Sequence, residues 1–143
     1  MFMTDEAADL RRAVQRLARR LRDERPRGPL TDVQRGILAQ IMDHGPQTPA
    51  SLARRAHTTP QALTRPLSTL VEAGVLERAP DPHDGRQHML TISRSGWTLL
   101  REDAAPRDAW LAAALAELTE AEQGLLGLAA RLLAGLAERP GAE

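Results

Sequence analysis

Gln61, Thr64, Arg65 and Ser68 stand at i, i+3, i+4 and i+7, so a helix would bring all four onto one face. Gln and Arg have two-pronged ends that can pair bidentately with the edges of adenine and guanine in a major groove, while Thr and Ser suit phosphates or thymine methyls. An ordinary exposed helix would more often carry Glu and Lys. This face meets no acid before Glu72, and an acid there would be repelled by phosphate. Thr59, at the head of the same segment, joins the set. A second cluster follows in DPHDGRQHML, where Asp81-Pro82 and Asp84-Gly85 make tight turns. Arg86 lies just past the tip, where a guanidinium can enter a narrow minor groove with its enhanced negative potential. Asp84, two residues away, can orient it through a charge-assisted bond. In isolation such a loop is a surface ion pair worth little; behind a helix of the kind just described it is far more specific.

Other chemistries find little support. His44, His57, His83 and His88 show no paired metal-ligand spacing and the chain has no cysteine, so neither a metal site nor a disulfide nor a thiol switch is expected. His83, in the loop, reads as solvent-exposed. Ser51, Ser93 and Ser95 lack the turn of a nucleophile elbow, and the acids gather at helix starts and on surfaces rather than as a pair. The chain is expected to be no enzyme and to carry no cofactor. Trp97 and Trp110 read as packing at a subunit junction before they read as the wall of a ligand pocket.

The elements that must position these residues are legible in the spacing. After Thr4, Asp5 and Glu6, the residues Leu10, Val14, Leu17 and Leu21 form one stripe of an amphipathic helix, which RDERPRGPL stops. Thr31 with Gln34 makes a capping box for a second helix, with Val33, Ile37, Leu38, Ile41 and Met42 inward. Thr48-Pro49 opens a short third helix with Leu52, Ala53 and Ala56 inward, and Thr59-Pro60 opens a fourth with Leu63, Leu67, Leu70 and Val71 inward and Gly74 as its C-terminal cap. Two short helices joined by a tight turn make a helix-turn-helix. The period then changes: Val75–Arg78 and Gln87–Ser93 read as strands flanking the turn-rich loop, which completes a winged helix. From Ser93 onward the chain is helical again. Thr119 with Glu122 caps a last helix bearing Leu125, Leu126, Ala129, Leu132, Leu133 and Leu136. Pro66 and Pro106 fall inside helices; the first should kink or disturb the fourth helix and the second should bend or split the fifth near Ala105.

At 143 residues the chain has room for one domain and hardly for two. The expected fold is mostly α with a small β-hairpin wing: a winged helix-turn-helix over residues 30–96, flanked by dimerisation helices over 4–25 and 94–139, within a single domain over 1–143. The apolar stripes of the first and last helices need a cover that a small winged domain does not offer, and a homodimer is the economical one. No stretch of about eighteen apolar residues occurs, and MFMTDEAADL lacks the basic-then-apolar layout of a signal peptide, so a cytoplasmic protein with no membrane partner is expected. All nineteen basic residues are Arg and the formal net charge is zero. That balance argues mildly against nucleic acid until it is divided along the chain: residues 48–96 carry six Arg against four acids, whereas 97–143 carry four against eight.

Residues 51–96, SLARRAHTTPQALTRPLSTLVEAGVLERAPDPHDGRQHMLTISRSG, resemble the MarR family. The likeness is carried by Leu52-Ala53, Leu70, Gly74, the strand Val75 to Arg78, the wing acids and arginine Asp81, Asp84 and Arg86, then Leu90-Thr91 and Gly96. The flanking helices match as well. The resemblance implies a homodimeric winged helix-turn-helix regulator of transcription that binds double-stranded DNA, usually as a repressor on a palindromic operator. Many members release DNA when a small-molecule effector enters a cleft between the dimerisation and DNA-binding parts; no effector-pocket residues are assigned here. By position, Thr59, Gln61, Thr64, Arg65 and Ser68 would be recognition-helix contacts, and Arg86 the minor-groove residue, oriented by Asp84. The alternative is a winged-helix module that binds protein rather than specific DNA.

Overall fold

The computed structural model describes residues 3–141. Eight elements follow one another: α1 (Thr4–Asp23), α2 (Asp32–His44), α3 (Pro49–Arg55), α4 (Pro60–Glu72), β1 (Leu76–Pro80), β2 (His88–Ile92), α5 (Arg94–Ala116) and α6 (Glu120–Ala137). The winged helix-turn-helix with flanking helices is thus the fold of the chain. It divides into two compact units, Pro26–Ala104 and the discontinuous Met1–Arg25 with Ala105–Glu143.

Local chemistry explains the helix starts. Thr31, Thr48, Thr59 and Thr119 each occupy the N-cap, with the hydroxyl accepting from the backbone N–H three residues on, which satisfies a donor the helix itself leaves orphaned. Thr31 and Thr119 complete capping boxes with Gln34 and Glu122. At the latter, the Thr119 amide and hydroxyl both donate to the Glu122 carboxylate and hold it below its ordinary pKa. In α1 the cap falls on Met3, one residue before the expected Thr4.

The core lies in the Pro26–Ala104 unit, where Leu38, Leu52, Leu70, Leu76 and Leu90 are fully buried. Ile37 and Ile41 join them from α2, and Leu63 and Leu67 from α4. Two expected members do not: Val33 is 52% and Met42 50% exposed, because they flank the stripe that actually meets α3, α4 and the hairpin. Ala56 is also exposed, at the C-cap of α3. Neither proline splits its helix; α4 runs unbroken through Pro66 and α5 through Pro106. Pro66 deprives the Ala62 carbonyl of its helical amide, and Ala62 is exposed, where solvent can serve that acceptor.

A node of hydrogen bonds joins α4, the hairpin and α5. Gly74, at φ 73°, ends α4 in a left-handed turn with Val75 N–H donating to the Leu70 carbonyl at 2.9 Å. The Ser93 N–H then donates to the Val75 carbonyl at 3.0 Å. The buried Ser93 hydroxyl donates to the Gly74 carbonyl and accepts the Gly96 N–H at 3.0 Å, which caps α5.

In the second unit, α1 and α6 bury no residue fully. Arg20 stacks over the Trp110 ring at 4.4 Å from its centroid, and Leu17, Leu111, Leu115, Leu126 and Leu133 line an apolar groove of about 660 Å³.

Candidate nucleic-acid interface

Three buried leucines fix the orientation of α4. With Leu63, Leu67 and Leu70 turned into the core, Gln61, Thr64 and Arg65 are exposed on the outward face and Ser68 is half-buried at its edge. The Thr59 hydroxyl is engaged as the helix cap at 3.3 Å from the Ala62 nitrogen, and the Thr64 hydroxyl donates to the Pro60 carbonyl at 3.2 Å. Each hydroxyl keeps lone pairs or a donor for a second partner. Gln61 and Arg65 make no side-chain bond among the described residues, so their polar ends face solvent unengaged.

The α3–α4 turn that aims this helix closes on His57, which takes φ 50°. The Thr58 N–H donates across it to the Ala53 carbonyl at 3.0 Å, so a histidine fills a position that more often falls to glycine or asparagine. His44 is bonded through Nε2 to Arg55 at 3.1 Å, while His83 and His88 are exposed. Among the described residues no group of three or more His, Asp or Glu stands where it could hold a metal ion.

The wing tip is built from two side-chain turns. Asp81 Oδ1 accepts the His83 N–H at 2.8 Å, and Asp84 Oδ1 accepts the Arg86 N–H at 3.0 Å while its Oδ2 accepts from Gln87 Nε2 at 3.3 Å. Asp84 therefore grips Arg86 by the backbone and not by the guanidinium. The charge-assisted bond foreseen from the sequence is replaced by a hydrogen bond from the Arg86 backbone N–H that fixes the loop, and Arg86 is exposed.

Sequence reading passed over Arg78. The register pairs Leu76 with Ile92, Arg78 with Leu90 and Pro80 with His88, so strand alternation puts Arg78 on the same hairpin face as the buried Leu76. There it joins Arg86, Thr48, Pro60 and Leu67 around a groove of about 430 Å³ between the hairpin and the heads of α3 and α4. Arg86 reaches this groove. Gln61, Thr64, Arg65 and Ser68 do not line it; they occupy the neighbouring outward face of α4. The signal was present in LERAP, where an arginine falls in step with an inward leucine.

A helix whose outward face carries Gln61, Thr64 and Arg65 and meets no acid before Glu72, followed by a hairpin that exposes Arg78 and Arg86, fits a DNA-binding protein of the winged helix-turn-helix class. The MarR family profile matches residues 29–87. An HTH-type transcriptional regulator of Mycobacterium bovis is 38% identical over 92% of this chain and 92% of its own. The crystal structure of a transcriptional regulator from Pseudomonas aeruginosa is 34% identical, covers 94% of each chain and superposes with a TM-score of 0.73. A MarR family structure from Bacillus stearothermophilus, at 18% identity, shares the fold over 97% of this chain and all of its own, with a TM-score of 0.77. The chain belongs to the MarR family of DNA-binding transcriptional regulators. No helix among the described residues is long and apolar enough to cross a membrane.

Proposed function

We propose that the protein is a cytoplasmic repressor that binds a palindromic operator as a homodimer and is released by a small-molecule effector. Each protomer sets Thr59, Gln61, Thr64, Arg65 and Ser68 of α4 toward a major groove and Arg86 toward the adjacent minor groove. The observation that carries this reading is the outward face of α4, which offers bidentate donors without a single acid ahead of Glu72. Repression and effector release follow the family likeness. No catalytic step is assigned to the chain.

The dimer rests on surface. Leu125, Leu128 and Leu132 of α6 are 66%, 48% and 61% exposed, and Leu10, Val14 and Leu17 of α1 are exposed as well. Apolar faces of that kind on a soluble chain mark an interface, and a twofold pairs one such face with its copy. Sedimentation of the wild type is expected to give twice the chain mass, and the double variant Leu125→Glu/Leu132→Glu a monomer. A wild type that sediments as a monomer at micromolar concentration would remove the dimer.

Titration of wild type and Arg86→Ala against a duplex selected by the wild type from a random library tests the reading itself. Tight, salt-steep binding to a palindrome is expected, weakened roughly tenfold or more by Arg86→Ala through loss of the minor-groove contact. A wild type that selects no sequence would favour the protein-binding alternative.

A further inference from the structure

The inner face of the wing changes character along its length. At its base it is core, with Leu76 and Leu90 fully buried. Opposite Leu90 on the same face stands Arg78, and a step further out His88 stands opposite Pro80; both are exposed, and beyond them stands Arg86. All three line the groove between the hairpin and the heads of α3 and α4, and no carboxylate lines it. Glu77 belongs to the opposite hairpin face by alternation. Asp81 and Asp84 give carboxylate oxygens to the amides of His83 and Arg86 and to the side chain of Gln87. Arg78 and Arg86 are thus left with no ion pair among the described residues. Two guanidiniums on one concave surface repel each other, and the arrangement becomes favourable when an anion enters between them.

The position of the groove identifies that anion. With the outward face of α4 in a major groove and Arg86 in the next minor groove, the sugar–phosphate strand separating the two grooves has to pass between helix and wing. We propose that the inner face of the wing is a phosphate clamp, with Arg78 as a further DNA-contact residue that holds the strand running between α4 and Arg86. The clamp rests on the DNA-binding mode given under Proposed function. Its planar guanidinium suits a phosphodiester bidentately, and a contact of this kind sets register and affinity without reading sequence.

The test compares wild type, Arg78→Gln and Arg78→Lys on the library-selected duplex and its single-base variants, each titrated at several salt concentrations. Arg78→Gln is expected to bind roughly tenfold more weakly, by the same factor on every duplex, and its salt slope should fall by about one. Arg78→Lys should restore most of the slope, because it restores the charge. In a methylphosphonate scan of the duplex, one neutralised linkage should weaken the wild type and leave Arg78→Gln indifferent. An unchanged slope in Arg78→Gln, beside a wild type that binds steeply, overturns the clamp alone. So does a loss that varies with base sequence, which would make Arg78 a base reader. A wild type that binds no duplex overturns the DNA-binding mode and the clamp together.

Discussion

Gly96→Ala is expected to cost about 3 kcal/mol or more of folding stability, the upper end of what overpacking a close contact does. Helix propensity alone predicts the opposite sign, since alanine gains roughly 1 kcal/mol over glycine inside a helix. Sterics decide it. A Cβ on Gly96 would stand 2.3 Å from the Val75 carbonyl oxygen and 2.9 Å from Ile92 Cγ2. The carbonyl is backbone and is held by the Ser93 N–H at 3.0 Å, so it has no rotamer to change. Relief would require moving the start of α5 away from the α4–β1 turn, which breaks the Ser93 node that joins recognition helix to wing. Gly124→Ala supplies the contrast: nothing lies within 4 Å of a Cβ there, so it should be neutral or stabilising by up to about 1 kcal/mol. Denaturant unfolding of both variants at one fixed protein concentration reads the difference. A Gly96→Ala protein as stable as the wild type would mean that α5 can shift freely on the turn, and that the node does not lock the wing to its helix.

Elements governed by neighbours in sequence were legible; those governed by distant partners were not. The threonine caps at 31, 48, 59 and 119 are four-residue chemistry, and the sequence displays all of it. The strands were displaced only at their ends, because the ladder stops at Leu76–Pro80 and His88–Ile92 where pairing stops. Val33 and Met42 were misread for a different reason. A stripe records which side of a helix is apolar, but its width on the wheel exceeds the strip that α3, α4 and the hairpin cover. Of what the prolines led one to expect, only the split of α5 is absent: both helices run on past Pro66 and Pro106, and α4 is anchored by three buried leucines.

Within the candidate site the same division holds. The outward face of α4 follows from the helical period and was readable from Gln61 to Ser68. The expected Asp84–Arg86 side-chain bond was not, because an Asp two residues before an amide meets the backbone first. Arg78 could have been found by counting alternate residues from Leu76, since period two fixes the face whatever the side chain. Gly96 could not, since its need for a missing Cβ arises from a carbonyl twenty-one residues earlier in the chain.

Asp103→Leu should be as damaging as any single change in the Pro26–Ala104 unit, at about 3–5 kcal/mol. Arg35 Nε donates to Asp103 Oδ1 and Oδ2, each at 3.1 Å, and Nη2 donates to Oδ1 at 2.9 Å. The side chains are only 14% and 6% exposed. Removing the carboxylate strands a guanidinium that is out of water, with only the exposed Asp32 remaining at 3.3 Å from Nη1. The hydrogen bonds that Arg35 donates to the Asp103 carboxylate hold the Arg35 pKa above its ordinary value. A raised pKa gives a contribution that is complete below the ordinary arginine range and lost only above it, so moving from neutral to mildly alkaline solution should leave the pair intact. Arg35→Met/Asp103→Leu should recover most of the loss, because an apolar pair of similar volume carries no desolvation cost. The double-mutant cycle then separates charge from shape. If the double variant is as unstable as Asp103→Leu, the damage lies in packing between α2 and α5, and the ion pair is incidental. If it recovers, the pair acts by orientation: its three contacts tie Asp103 to α2, the helix whose Ile37, Leu38 and Ile41 share the buried core with Leu63, Leu67 and Leu70 of α4.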